Sequence, residues 1–324
     1  MKVLLLGASG LLGHNVLLRL MAEGHKAVAL VRRSDAIKLP EGGYETHLGS
    51  LLDYQTLRNA AEGCDAIINC AGTTDMSLLR FEEYLPVNSD LCGMLVNLME
   101  ELDIRILVHT STVNTIGHGA AGHPADESEP MRSPFTESWY AESKRQGEQL
   151  VLAAARRMKE RHIVVVNPGF MIGPWDVKPS SGRMLLAAWR RPLMVAPKGG
   201  KSFVHVADVA QAAVNAMTMG ESGSRYIVVG RNGNMTIKEM YELQAQLGGY
   251  RQRVLTLPDW MLVLAGAMGD FIRALGVRAE LSTRNVRQLM VREYYTNSLA
   301  VGALKIKDTP VEEAIKEFIK WREL

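Results

Sequence analysis

The apolar run Val3-Leu4-Leu5-Leu6 stops at Gly7-Ala8-Ser9-Gly10-Leu11-Leu12-Gly13, and a stretch with helical periodicity follows at once. Few patterns constrain a chain more. A buried strand that ends on glycine and passes directly into a helix needs a turn that a residue without a Cβ makes easily. It also leaves the N–H groups and the positive dipole end of the helix open to a phosphate. Gly-x-x-Gly-x-x-Gly is unspecific by itself. After a first strand it predicts a pyrophosphate cradle built from Gly7, Ser9, Gly10, Leu11, Leu12 and Gly13.

The alternation continues for some 170 residues. Apolar runs at 2–6, 25–32, 44–49, 66–70, 105–112 and 162–168 alternate with amphipathic stretches at 11–23, 54–62, 86–102 and 138–161. This predicts an α/β fold, a Rossmann-type doubly wound parallel sheet with helices on both faces. Ile163-Val164-Val165-Val166 has no apolar/polar alternation, so both faces of that strand are expected to be covered. Past Pro168 the pattern breaks up. Pro174, Pro179, Pro192, Pro197 and Gly199-Gly200 predict loops around one short helix near 183–190. Helices are expected again at 206–219, at 236–248 with Thr236 as N-cap and Glu239 three residues on, and from Pro310 to Trp321, with a strand at 226–229. Residues 1–170, with 204–230 returning to them, are expected to form the cofactor core, and 171–203 with 231–324 a smaller substrate-binding lobe.

Composition narrows the class. Lys+Arg 37 against Asp+Glu 35 gives a net charge of +2, so neither nucleic acid nor a membrane is expected as a partner. Cys64, Cys70 and Cys92 fit no zinc or disulfide spacing and are expected as free thiols in a reducing, cytoplasmic setting. No leader-like segment is expected ahead of the first strand. The apolar run 260–268 is far shorter than the roughly 20 residues a span requires and reads as a helix of the lobe. His118, His123 and Asp126 lie in a loop without ligand spacing, so no metal is expected. His205 with Asp208 reads as a hydrogen-bonding link between core and lobe. Arg273, Arg278, Arg284, Arg287 and Arg292 read either as a solvated face or as a site for an anionic substrate or an interface.

Two further motifs carry chemistry. The second strand ends in Val31-Arg32-Arg33-Ser34, where NAD-selective folds usually present an acidic residue to the ribose diol. Two guanidiniums there suit the 2′-phosphate of NADP, with Asp35 expected beyond the contact. Tyr140-Ala141-Glu142-Ser143-Lys144 puts a phenol and an ammonium on one helical face. A cation beside the phenol is expected to lower its pKa, so that Tyr140 exchanges a proton with a carbonyl or alcohol, while Thr112 donates to the same oxygen.

These motifs are joined by Asn69-Cys70-Ala71-Gly72, Val87-Asn88, His109-Thr110-Ser111-Thr112, Asn167-Pro168-Gly169, 203–210 and Asn297-Ser298-Leu299-Ala300. In that order they resemble the extended short-chain dehydrogenase/reductase superfamily, NAD-dependent epimerase/dehydratase type, almost end to end. Ala29-Leu30-Val31-Arg32, 109–112 and Ile172-Gly173-Pro174-Trp175-Asp176 are most similar to its dihydroflavonol-4-reductase-like branch. The resemblance implies that Thr112, Tyr140, Lys144 and Asn88 are catalytic, Asn88 through a proton relay. It implies that Ala71, Gly72 and Thr73 pass the cofactor phosphates and ribose, and that Pro168, Gly169 and Phe170 pass the nicotinamide amide. Ser50-Leu51 stands where such chains carry an Asp-Leu contact to adenine, which leaves Ser50 a weak ligand and the Leu51 backbone the main one.

The expected activity is NADPH-dependent reduction of a ketone or aldehyde. The alternative is a nucleotide-sugar epimerase or dehydratase with bound NAD, for which Lys178, Arg183, Arg190 and Arg191 would meet the diphosphate. A non-catalytic dinucleotide-binding protein is a third reading, against which the Thr112, Tyr140 and Lys144 set speaks. A homodimer is expected from relatives that pair the helices at 86–102 and 138–161, with Leu95, Met99 and Leu152 taken as outward apolar positions.

Overall fold

The computed structural model describes residues 1–37 and 42–324. The core unit is β1 (Lys2–Leu6), α1 (Leu11–Ala22), β2 (Lys26–Val31), β3 (Tyr44–Leu48), α2 (Tyr54–Ala61), β4 (Ala66–Asn69), α3 (Leu91–Glu101), β5 (Ile106–Thr110), α4 (Trp139–Arg157) and β6 (His162–Pro168). There follow β7 (Phe170–Ile172), α5 (Gly182–Ala188), β8 (Leu193–Ala196), β9 (Gly200–His205), α6 (Val206–Asn215), β10 (Arg225–Val228), β11 (Asn234–Thr236) and α7 (Ile237–Leu247). The chain ends with β12 (Arg253–Thr256), α8 (Asp259–Ala274), α9 (Thr283–Gln288), α10 (Ser298–Leu304) and α11 (Val311–Trp321).

Seven parallel strands form the main sheet in the order β10-β6-β5-β4-β1-β2-β3. The order reverses between β1 and β4, and in such sheets a crevice opens at the carboxyl ends of the strands on either side of the reversal. The continuous apolar runs are explained by burial on both faces. Val3 and Leu5 pack with α1 and α6, while Leu4 and Leu6 pack with α2, α3 and α4. Val164 and Val166 divide from Ile163 and Val165 in the same way.

The lobe has its own core of Leu185, Phe203, Met240, Ile315 and Phe318, around a three-stranded sheet β11-β9-β7. Thr236 caps α7 as expected: its Oγ1 accepts from Glu239 N–H at 3.1 Å and its N–H donates to Glu239 Oε2 at 2.7 Å.

Three expectations are corrected. The proline-broken segment 174–203 is more than loops around one helix, because β8 pairs in parallel with β12 and β9 begins at Gly200. The helix expected over 86–102 opens as a π-helical turn, Pro86–Asp90, before α3. Leu95 and Met99, expected as outward positions, are fully buried in the core, and Leu152 is half-buried.

Candidate active site

The glycine turn closes tightly at the reversal point. Gly7 has φ +79°, and a Cβ there would lie 2.7 Å from the carbonyl carbon of Cys70. A Cβ on Gly13 would lie 2.0 Å from Gly7 O, so only glycine lets α1 start against the turn. Gly10 N–H donates to Gly7 O at 2.9 Å, and no side chain among the described residues caps α1. Leu11 and Leu12 bury their side chains in the core and present only backbone N–H groups, beside half-buried Ser9. An uncapped helix N-terminus behind a glycine turn fits a pyrophosphate.

At the end of β2 the two arginines differ. Arg33 Nε and Nη2 donate to the Asp35 carboxylate at 2.9 and 2.6 Å. Arg33 is thus engaged along one edge, and Asp35 is turned to it. Exposed Arg32 makes no ion pair among the described residues. Ser50 Oγ accepts from Leu52 N–H at 3.2 Å and closes the turn before α2, while Leu51 packs against the core.

The loop after β4 is held by amide side chains. Ala71 N–H donates to Asn69 Oδ1 at 3.0 Å. Buried Asn88, in the π-helical turn, accepts from Thr73 N–H at 2.8 Å. Its Nδ2 donates to Thr73 O at 3.0 Å and to Ser143 Oγ at 2.9 Å. Asn88 thus fixes the loop after β4, and π-helical turns are common at functional sites. Above Gly72 the space opens onto Asn88 Oδ1 and Lys144 Nζ, 3.6 and 3.9 Å from where a Cβ would stand.

Tyr140 and Lys144 lie one turn apart on α4. The Lys144 ammonium, 3% exposed, donates to Thr110 O at 2.7 Å. Burial lowers its pKa, against the thiols of Cys92 and Cys70 and the carboxylate of Glu148. The Tyr140 phenol stands above its ordinary 10.0, because burial pushes it up and the nearby Thr112 hydroxyl only partly offsets this. Burial dominates the shift, and the Lys144 ammonium gives one of its three donors to the Thr110 carbonyl.

A supporting network escapes the sequence pattern. Asn167 Nδ2 donates to Thr112 O at 3.0 Å and to Glu148 Oε2 at 2.8 Å. Thr115 Oγ1 lies 2.9 Å from Thr112 O and 2.8 Å from Glu148 Oε2, and Arg225 pairs with Glu148 at 3.2 Å. A carboxylate eight residues after Tyr140 and four after Lys144 lies on the same stripe of α4, which is the signal that would have found it.

At the end of β6, a Cβ on Gly169 would lie 2.3 Å from Ser202 O. Gly169 N–H donates to Val228 O at 3.0 Å. Gly169 is thus packed against the β9 backbone where no side chain fits, and the Phe170 ring packs edge-on against Phe203 in the lobe core.

The basic residues of the lobe are mostly engaged. Arg183 pairs with Glu280 at 2.6 Å, and Arg190 lies over the Trp189 ring. Arg273 donates to the carbonyls of Ser77 at 3.2 Å, Ala279 at 2.8 Å, and Leu78. Arg284 stacks on Trp139 at 3.7 Å, Arg278 meets Glu83 at 3.5 Å and Arg287 meets Glu137 at 2.8 Å. This stretch is an internal clamp between lobe and core, not simply a solvated face. His205 Nδ1 accepts from Ala207 N–H at 3.0 Å, and Asp208 accepts from Thr309 Oγ1 at 2.8 Å. Among the described residues no group of three or more His, Cys, Asp or Glu could hold a metal ion, and no helix is long and apolar enough to cross a membrane.

The family model described as "NAD dependent epimerase/dehydratase family" matches residues 3–230. "Sterol demethylase protein B" of Methylococcus capsulatus is 31% identical over 265 residues, covering 81% of this chain and 79% of that protein. "Putative dihydroflavonol 4-reductase" of a Synechocystis species is 28% identical over 326 residues, covering 97% and 92%. The crystal structure of gox2253 superposes with a TM-score of 0.83 at 25% identity, covering 99% of this chain and 98% of that one.

Proposed function

The chain belongs to the NAD dependent epimerase/dehydratase family, and on that premise we propose that it is an NADP(H)-dependent oxidoreductase that reduces a ketone or aldehyde. The observation that carries this reading is Tyr140 one helical turn from buried Lys144 on α4, with the Thr112 hydroxyl near the phenol. A bound nicotinamide supplies the hydride. Tyr140 gives its proton to the carbonyl oxygen, and its raised pKa keeps that proton in place through neutral pH. Thr112 donates to the same oxygen as negative charge develops there. Asn88 fixes the loop that faces Lys144, and the Glu148–Asn167 pair fixes the backbone of Thr112.

Preference for NADP is supported by Arg32, whose exposed guanidinium is free of ion pairs among the described residues. It is also supported by Asp35, whose carboxylate is turned to Arg33. The substrate is a small molecule held between core and lobe. The printed functions of the two relatives, on a sterol and on a dihydroflavonol, support an apolar one.

Turnover of a panel of apolar ketones and aldehydes, and of nucleotide sugars, with NADPH and with NADH tests the reading. Net carbonyl reduction with preferential NADPH consumption is expected. Epimer formation without net cofactor change would replace it.

A further inference from the structure

The run 260–268, expected as an ordinary lobe helix, belongs to a helix that faces outward with its apolar side. Within α8 the narrow stripe Leu262, Gly266 and Gly269 is buried. A Cβ on Gly269 would lie 2.0 Å from Leu281 O, so this stripe sits directly on the segment leading into α9. The opposite face carries Trp260, Leu264, Met268 and Phe271, continued by Leu275 past the helix end. Each is more than half exposed, Trp260 and Phe271 by 67%. Ten of the twenty exposed large apolar side chains among the described residues lie between 260 and 281. An apolar patch of this extent marks an interaction site.

Charge identifies the occupant. The few ionic groups of α8 are all turned to protein: Asp259 to Lys198 at 3.3 Å, Asp270 to Thr283 N–H at 3.2 Å, and Arg273 to the carbonyls of the core loop. The outer face is left uncharged over about 24 Å of helix. The β8–β12 ribbon leads straight into it, with Leu193 and Val195 exposed opposite Arg253 and Leu255. At the start of that ribbon stand exposed Arg190, Arg191, Arg251 and Arg253, none in an ion pair among the described residues. An uncharged Trp- and Phe-bearing helix, joined by a ribbon with an exposed apolar edge to exposed arginines outside any ion pair, is the pattern of a surface that lies in a bilayer interface under anionic headgroups.

We infer that the outer face of α8, with the arginine end of the β8–β12 ribbon, docks this protein on an anionic lipid surface. Docking there would leave the site close to the bilayer, because Arg273 and Arg284 of α8 and α9 both lie over Trp139, the residue before Tyr140.

Co-sedimentation of the full chain with vesicles of phosphatidylcholine, and of phosphatidylcholine with phosphatidylglycerol, tests this. Pelleting with the anionic vesicles is expected, at least tenfold weaker with the neutral ones. The double variant Leu264→Glu, Phe271→Glu should lose at least tenfold of that binding. Its thermal unfolding should stay unchanged, because both residues are exposed. Arg251→Ala with Arg253→Ala should lower binding to the anionic vesicles only. No pelleting with either vesicle, equal pelleting with both, or a double variant that pellets like wild type would overturn the assignment. A concentration-dependent dimer that the glutamates dissociate, without vesicle binding, would also overturn it by giving the face to a second copy. None of these readouts depends on turnover, so they stand apart from the proposed reaction.

Discussion

Thr73 and Asn88 are joined by two hydrogen bonds, Thr73 N–H to Asn88 Oδ1 at 2.8 Å and Asn88 Nδ2 to Thr73 O at 3.0 Å. The other Nδ2 hydrogen goes to Ser143 Oγ, so one buried amide ties the loop after β4 to the helix of Tyr140 and Lys144. Asn88→Ala is expected to cost about 1–3 kcal/mol of stability, because it leaves partner groups unsatisfied. Cofactor affinity should fall more than turnover at saturation, as measured by titration and by steady-state kinetics. Turnover lost at full cofactor saturation would return Asn88 to a relay.

Arg32 and Arg33 should separate on substitution. A charge-assisted hydrogen bond contributes about 1.5–3 kcal/mol, or roughly ten- to a hundredfold in affinity. Arg32→Ala is expected to weaken NADP binding by that much and to leave NAD nearly unchanged. Arg33→Ala should do less, since Asp35 already holds one edge of that guanidinium. Asp35→Asn should strengthen NADP binding by releasing it. Tighter NAD than NADP binding in the wild type would contradict the assignment.

Arg273 fastens α8 to the loop after β4 through the carbonyls of Ser77 and Leu78. Arg273→Ala should destabilise the protein by about 1–3 kcal/mol in urea unfolding. Arg273→Lys should recover little, because a point ammonium cannot span several carbonyls. Full stability of the lysine variant would show that charge alone is enough.

His109 links stability to pH. It is buried beneath Asn69 and Cys92, and burial first, then the Lys144 charge, hold its pKa well below 6.5. The unfolded chain binds a proton that the folded chain refuses. This contribution is therefore complete above pH 6.5 and is lost as pH falls toward the folded value. His109→Gln should flatten the fall in unfolding free energy below that pH by up to one proton, about 1.4 kcal/mol per pH unit. An unaltered slope in urea titrations would mean that other groups carry the acid sensitivity.

The parts of the fold legible in the sequence are those where local pattern and tertiary role agree. Apolar/polar alternation is absent from both Val3–Leu6 and Ile163–Val166, and each of these strands is covered on two faces. The glycine turn and the Tyr140–Lys144 pair are equally legible, since each is set by spacing along one element. What stays hidden depends on distant partners. β8 is a strand only because β12, some sixty residues later, pairs with it, and prolines mask its pattern. Arg273 and Arg284 look like solvated charge until the loop carbonyls and Trp139 arrive. The direction of the Tyr140 shift is hidden for the same reason: the burial that pushes it up comes from distant parts of the chain, which the spacing to Lys144 does not reveal.

The central claim is that Tyr140 protonates a carbonyl while NADPH is consumed, and single turnover in wild type and Tyr140→Phe tests it most directly. Wild type should form one alcohol per NADPH oxidised, at a rate flat through neutral pH, because the phenol titrates above 10.0. Tyr140→Phe keeps the ring and loses the proton donor, so the rate should fall by about 10²–10⁴-fold with NADPH affinity little changed. A near-normal rate in the variant, or substrate epimerised with the cofactor unchanged, would contradict the account.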